Sequence, residues 1–423
     1  MTIFWLDRLM FYALCALFFV LPAAIAGVGI FGVLAIVFFL LKTWLVFSEK
    51  SRHCGWGGVL KDISARSFGE DRGVLLPVFL YAAYCYSSIF TSLYPSLSIP
   101  AFFGKILEGV FILLAMRDAV SSYSRAKTLL IVVLSGAFIL CLDGFIQLGF
   151  GHDIFKHLVA QAGRVSASFK HPNGLGAYLI VPVLLGLGWV MCGTWKAWQK
   201  SWKILVASPI FLVAMVSVMG LTYSRGAWLG MFVAIVLLGC LQRRWIVFIG
   251  SVTLVFFFVF SPLLLQVRDV SIGSDAPAQG LINIGNVGSG RYTFWKDAIK
   301  IIEDHPVFGT GLNTYTIVIK DYAAIWRQYP HNSYLQKGAE LGLVGLALFL
   351  WMLGAVVAGA FRSLRAMPAG KIKMFYIALW AGFVGLLVQS GVDTTMYSVQ
   401  HGVFIWGIMG FLMPSVASRI LKA

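Results

Sequence analysis

The sequence predicts an all-α, polytopic membrane protein, and three observations predict it. The chain of 423 residues is 59% hydrophobic and only 12% charged, and its mean hydropathy is +0.86, well outside the range of soluble domains. Apolar runs of about 17–25 residues, each long enough to cross a bilayer, recur from end to end. Lys and Arg cluster in alternate connections between those runs. The spans must be helices, because a bilayer core offers a backbone amide no partner outside its own segment.

Twelve spans are expected, near 9–25, 27–47, 74–91, 100–117, 128–149, 175–193, 204–222, 227–242, 246–265, 333–361, 374–391 and 398–416. The basic connections are Arg8, the 42–73 region, Arg117 to Lys127, Lys196 to Lys203, Arg243 with Arg244, Arg362 to Lys373, and Arg419 with Lys422. Elsewhere acidic and basic residues nearly cancel. Positive charge accumulates on the cytoplasmic side of membrane proteins. Both termini are therefore expected in the cytoplasm, and the hydrophilic stretch 266–332 in the opposite compartment. The formal charge of +16 reports topology, not a nucleic-acid partner.

Arg8, an apolar run and Ala24-Ile25-Ala26 resemble a secretory signal with its cleavage site. Removing that span would upset the charge alternation, so it is expected to stay. The six cysteines lie in spans or on the basic side and form no CxxC pair, so neither disulfides nor a thiolate metal site is expected. No repeat is visible. The chain reads as one membrane domain, 1–423, with 266–332 as its single large loop.

Four polar places on the non-cytoplasmic side carry candidate chemistry. The first is Arg164 to Asn173, including Lys170 and His171, just before the sixth span. The second is Ser224-Arg225-Gly226, a turn so short that Arg225 must sit at the membrane surface, either on an anionic lipid-linked group or snorkelling to headgroups. The third is the glycine-rich 285–290 run, where Ser289 can cap a helix from Arg291 to about Asp304. Phe294, Trp295, Ala298, Ile299 and Ile302 give that helix an apolar face expected to lie on the membrane. Arg291 shares the face, a costly position unless it meets an anion, whether substrate or lipid phosphate.

The fourth place is Pro330-His331-Asn332 at the mouth of the tenth span. Histidine titrates near neutral pH and suits a general base, although alone it is more often a structural hydrogen-bonder. Asp393, between the last two spans, either orients a base or a sugar or caps a helix. Lys337 with Glu340 and Lys105 with Glu108 read as structural ion pairs. No Asp-x-Asp, His-Glu-x-x-His or P-loop occurs, and Glu303-Asp304-His305 has poor chelating geometry, so no metal or cofactor is expected. Arginines, whose planar fork fits phosphate, would then carry the charge of a phosphate leaving group.

Ser168-Phe-Lys-His-Pro-Asn-Gly174, Ser224-Arg-Gly-Ala227, Arg291-Tyr-Thr-Phe-Trp295 running on to Pro306-Val-Phe-Gly-Thr-Gly311, and His331-Asn-Ser-Tyr-Leu335 with Glu340-Leu-Gly-Leu-Val-Gly345 together resemble the O-antigen ligase and polymerase superfamily of bacterial envelope glycosyltransferases. The resemblance covers roughly 165–345, and the twelve-span plan extends it along the chain. It implies a multi-pass enzyme of the Gram-negative inner membrane with a periplasmic active site. Its donor would be an undecaprenyl-diphosphate-linked O-antigen and its acceptor the outer sugar of lipid A–core, with membrane lipids around it. By motif, His331 would be the base and Arg225 and Arg291 the diphosphate clamp. Arg164, Lys170, His171, Asn173, Asn332 and Asp393 would contact substrate.

The same superfamily holds O-antigen polymerases and protein O-oligosaccharyltransferases. The latter typically add a soluble C-terminal part, whereas this sequence closes just after its last span, which favours the ligase. A reading from another class is a transporter or flippase for an anionic lipid-linked substrate. It draws on Lys105, Glu108 and Asp143 within spans, but such proteins usually bind near the midplane between repeated halves.

Overall fold

The computed structural model describes residues 2–62, 69–161, 163–192, 202–242, 291–323 and 329–422. Among them there is no strand, only two isolated bridges, His152–Val159 and Gln161–Arg164. In chain order the helices are α1 (Thr2–Val20), α2 (Ile25–Asp62), α3 (Arg72–Ser87), α4 (Pro95–Ala101), α5 (Glu108–Ala119), α6 (Tyr123–Phe150), α7 (Pro172–Cys192) and α8 (Trp202–Leu221). There follow α9 (Arg225–Gln242), α10 (Arg291–Asp304), α11 (Tyr315–Tyr322), α12 (Ser333–Ala366), α13 (Lys371–Ser390), α14 (Val399–Phe411) and α15 (Pro414–Lys422).

Eight of these helical stretches are long and apolar enough to cross a membrane, and α14 with α15 makes a ninth if that pair, bent by 55°, is one span. The expected span at 74–91 is the 16-residue α3, and that at 204–222 is α8. The span expected at 246–265 and most of the 266–332 loop lie outside the described residues.

At one end of the bundle the basic connections are closed by acids from neighbouring helices. Lys42 Nζ bonds Asp7 at 2.6 Å and Asp118 at 2.5 Å. Arg125 reaches the other oxygen of Asp7 at 2.5 Å. Arg117 reaches Asp71, which is fully buried and also accepts from the Ser415 amide and hydroxyl. The connections that follow α1, α3, α6, α8 and α13 gather at the opposite end. There Gln400 donates to the Leu21 carbonyl at 2.8 Å, Leu93 N to Thr310 O at 3.0 Å, and Val165 N to Leu221 O at 3.0 Å.

One joint fixes α10 against α12. Helix α12 breaks at Gly342, whose φ of 69° is left-handed, a conformation that glycine adopts without a Cβ penalty. Into the break fits the 306–311 loop: Leu343 N donates to Pro306 O at 2.7 Å and Gly311 N to Glu340 O at 2.8 Å. A Cβ on Gly342 would lie 2.2 Å from Val307 O, and one on Gly309 (φ 67°) 2.4 Å from the Glu340 carbonyl carbon. The two glycines are therefore required by the same backbone approach.

Helix α10 ends where the sequence places it, its first described residue being Arg291, but its buried face differs. Phe294, Asp297, Ala298 and Ile301 are buried, while Ile299 is 42% exposed. Ala298 and Ile301 pack with Tyr315, Val318 and Ile319 of α11 and Ala339 of α12. The apolar face is covered by the chain's own helices, not laid flat on lipid. Nor do Lys105 and Glu108 pair as expected. Residues Phe102–Leu107 form a π-helical turn, which changes the angular step between the two side chains. Lys105 instead donates to Asn313 Oδ1 at 2.9 Å and lies 3.7 Å from the Tyr397 ring centroid. Lys337 and Glu340 do meet, at 3.7 Å.

Candidate active site

Four helix N-termini face one short segment, Val392-Asp393-Thr394, between α13 and α14. Asn332 caps α12, its Oδ1 accepting from Tyr334 N at 2.9 Å and Leu335 N at 3.1 Å. That use commits the Asn332 carbonyl to the helix and not to a ligand. Ser398 caps α14 through His401 N. Helix α7 opens at Pro172 and α9 at Arg225, and the described part of α10 starts at Arg291. Exposed amides and the positive ends of helix dipoles both favour an anion at such a convergence.

At its centre is Asp393, mostly buried. Oδ1 lies 3.0 Å from His331 Nδ1 and accepts from Thr394 N at 2.8 Å. Oδ2 accepts from Asn173 Nδ2 at 2.6 Å. Asn173 Oδ1 in turn accepts from Arg164 Nη2 at 2.6 Å, and Arg164 Nε donates to Thr222 O at 2.8 Å. One hydrogen-bonded chain thus runs Arg164–Asn173–Asp393–His331. Burial alone would raise the Asp393 pKa. The hydrogen bond and charge of His331, the Thr394 amide and Arg291 outweigh it and hold the carboxyl below its usual range. An ionised carboxylate only accepts, so His331 Nδ1 carries a proton, and in the neutral form of the ring Nε2 is the nitrogen with the lone pair.

His331 is held in place on three sides. Its backbone is left-handed (φ 49°), an arrangement that costs a non-glycine residue energy and is found where neighbours over-determine it. Its ring lies 5.8 Å from that of Phe294. The following Ser333 donates from both N and Oγ to the Asp393 carbonyl, at 3.2 and 2.9 Å. The imidazole is nonetheless 39% exposed.

Arg291 Nη1 donates to the Val392 carbonyl at 2.6 Å. Gly226, next to Arg225, packs so closely on Val392 that a Cβ would lie 2.8 Å from its side chain. Arg291 therefore reaches Val392 with its side chain and the turn that carries Arg225 packs on it, one residue from Asp393. Burial lowers the Arg164 pKa, and the charges of Arg291 and Arg225 lower it further while Asp393 opposes them. Arg164 thus sits in the field of both other guanidinium groups. The segment before Arg225 also carries a left-handed non-glycine residue, Tyr223 (φ 48°).

His331 opens into a cleft of about 450 Å³, within the size range of small-molecule sites. Arg164, Lys170, His171 and Asn173 line it from the segment that leads into α7, and Tyr329, Tyr397, Thr395 and Gln400 from the segments before α12 and around the start of α14. The His171 pKa is lowered by burial and by Lys170, so that ring is mainly neutral near pH 7. Sequence reasoning did not single out Tyr329, Tyr397, Gln400 or the cleft-lining His401; tyrosines are common in this chain and carry no spacing signal. Asp304, weighed as a chelator, accepts from Tyr322 at 2.8 Å. Ser289, the expected cap of α10, lies outside the described residues.

Comparison with known proteins converges on one family. Residues 210–350, which include Arg225, Arg291 and His331, match the O-antigen ligase family model. The O-antigen ligase of Salmonella typhimurium is 26% identical over 266 residues, covering 59% of this chain and 60% of that protein. These matches make the chain similar to O-antigen ligases over those residues. A chain from the structure described as "Structural coordination of polymerization and crosslinking by a peptidoglycan synthase complex" overlays with a TM-score of 0.46 at 16% identity, covering 82% of this chain and 98% of that one.

Proposed function

We propose that this protein is an O-antigen ligase of the Gram-negative inner membrane, with both termini cytoplasmic and the cleft facing the periplasm. It moves a glycan from undecaprenyl diphosphate to an outer core sugar of lipid A–core. The observation that carries the reading is the Arg164–Asn173–Asp393–His331 chain beside Arg225 and Arg291. It sets a base with a free nitrogen next to cations suited to a diphosphate.

In this scheme Asp393 holds His331 in the tautomer that presents Nε2 to an acceptor hydroxyl. Nε2 takes the hydroxyl proton as the oxygen bonds to the donor's anomeric carbon. The bond from that carbon to the diphosphate oxygen breaks, and its electron pair leaves on the diphosphate. Arg225, Arg291 and the helix N-termini stabilise the departing charge. Displacement in one step inverts the anomeric centre, and the scheme requires neither metal nor nucleotide.

The test is transfer in detergent from an undecaprenyl-diphosphate glycan to rough lipopolysaccharide. Product with inverted configuration, unaffected by EDTA, is expected. Retained configuration would reject the single-step scheme. Glycan lengthening without lipopolysaccharide would make the enzyme a polymerase, and no product at all would favour a transporter.

A further inference from the structure

The arginine pair and the cleft draw on different residues around His331. Arg291 donates to Val392 and the turn that carries Arg225 packs on it, and among the described residues neither arginine lines the 450 Å³ cleft. A base that removes a proton from one substrate while another loses diphosphate must stand between the two. If the diphosphate belongs with the arginines, the cleft belongs to the acceptor. This step rests on the transfer reading above.

The two banks of the cleft differ in chemistry. Tyr329 and Tyr397 stand on one bank with ring centroids 5.0 Å apart and planes at 58°. Tyr397 closes a short 3-10 turn, Thr395–Tyr397. Lys105 sits on its ring at 3.7 Å and is itself tied to Asn313. The aromatic bank is thus set before a ligand arrives, which lowers the entropy cost of binding. Aromatic faces with a few hydroxyl and amide neighbours suit the C–H faces and hydroxyls of a pyranose. Thr395 and Gln400 line the same bank.

The facing bank is cationic. It is the 161–174 segment, pinned by Gln147, whose Oε1 accepts from Ser166 N and Ala167 N at 2.8 Å each. Lys170 is exposed at the cleft, and its carbonyl accepts from Gln161 Nε2 at 2.9 Å. Arg164 lies behind it, its donors turned to neutral carbonyls. A cation on one wall opposite an aromatic platform suits a sugar that carries negative charge on one edge.

We propose that the cleft is an acceptor subsite for a pyranose bearing an anionic substituent: Tyr329 and Tyr397 form its platform, Lys170 and Arg164 hold the anion, and the free hydroxyl meets His331 Nε2.

The test uses full-length protein with Tyr397→Ala, Tyr397→Phe, Tyr329→Ala and Lys170→Gln. Acceptors are rough lipopolysaccharide with core phosphate, with only a uronic carboxylate, and with neither. Tyr397→Ala should raise the acceptor KM about tenfold while the donor KM stays near wild type, and Tyr397→Phe should restore it. Tyr329→Ala should act in the same direction, and it keeps the test available if Tyr397→Ala does not fold. Lys170→Gln should weaken only the charged acceptors; which arm responds identifies phosphate or carboxylate as the anion.

Acceptor binding by the His331→Ala protein, measured by titration without turnover, gives a second readout that should show the same losses. A rise in donor KM on tyrosine loss, or equal weakening of charged and neutral acceptors by Lys170→Gln, would overturn the subsite. Failure of the wild type to transfer at all, with acceptor binding intact, would instead overturn the ligase reading.

Discussion

The two ends of the helix bundle treat charge in opposite ways. At the basic end three cations meet carboxylates, Lys42 with Asp7 and Asp118, Arg125 with Asp7, and Arg117 with Asp71, while Arg419 and Lys373 there donate to backbone carbonyls. At the cleft end Arg164 and Arg291 donate to carbonyl oxygens instead, and one carboxylate, Asp393, stands among three arginines, a lysine and three histidines. Paired charge locks helices together. Cationic charge left in excess, with helix N-termini behind it, prepares a place for an anion that the protein does not supply. The first arrangement is architecture, and the second is the mark of a site.

Substitutions that touch catalysis at one end and only stability at the other would sharpen that contrast. The largest effect is expected at His331. His331→Ala should fold, reach the membrane and lose about 10²–10⁴-fold in transfer rate, the usual worth of a general base. The readout is capped lipopolysaccharide, with membrane protein level as control; normal capping would remove the base. Arg291→Lys should cost about 10²–10³-fold in kcat, because a lysine keeps the charge but loses the bidentate fork. A rate within twofold of wild type would mean that the charge alone suffices and the Val392 contact is incidental.

At the basic end, Asp71→Asn leaves the Arg117 guanidinium without its buried partner. Breaking one side of such a pair typically costs about 3–5 kcal/mol, so melting in detergent should drop sharply while transfer per folded molecule holds. Lost activity in the folded fraction would join the two ends into one functional unit. A matching probe of the joint is Gly342→Ala, which places a methyl on the Val307 carbonyl at a left-handed φ. It should destabilise comparably and lower activity through the α10–α12 geometry that presents Arg291 to His331.

Much of this was legible in the sequence for definable reasons. Helix α10 was readable as Arg291 to Asp304 because its period of 3.6 is bounded by a glycine run and by His305-Pro306. Its buried face was not, since amphipathicity reports polarity and not which neighbour covers it; Asp297 is buried and Ile299 exposed. The motifs Pro306–Gly311 and Glu340–Gly345 were visible as strings, but their meaning, a backbone joint between Gly309 and Gly342, is a contact between separated segments. The same holds for His331 with Asp393, each readable as a candidate and neither as a partner. The π turn that moves Lys105 away from Glu108 leaves no trace in residue spacing.

The smallest predicted effect tests the carboxylate that separates the two ends. Asp393 is held below the ordinary carboxylate range, near ~4, by His331, the Thr394 amide and Arg291 acting against burial. A depressed folded-state pKa contributes stability that is present above the unfolded value and lost as pH falls through the folded one. The melting temperature of the wild type minus that of Asp393→Asn should therefore be positive at pH 5 and shrink below about pH 4. Other carboxylates titrate in both proteins and cancel. A gap that widened below about pH 4 would mean that burial wins, that Asp393 is protonated in the fold, and that His331 Nδ1 is not held as a donor.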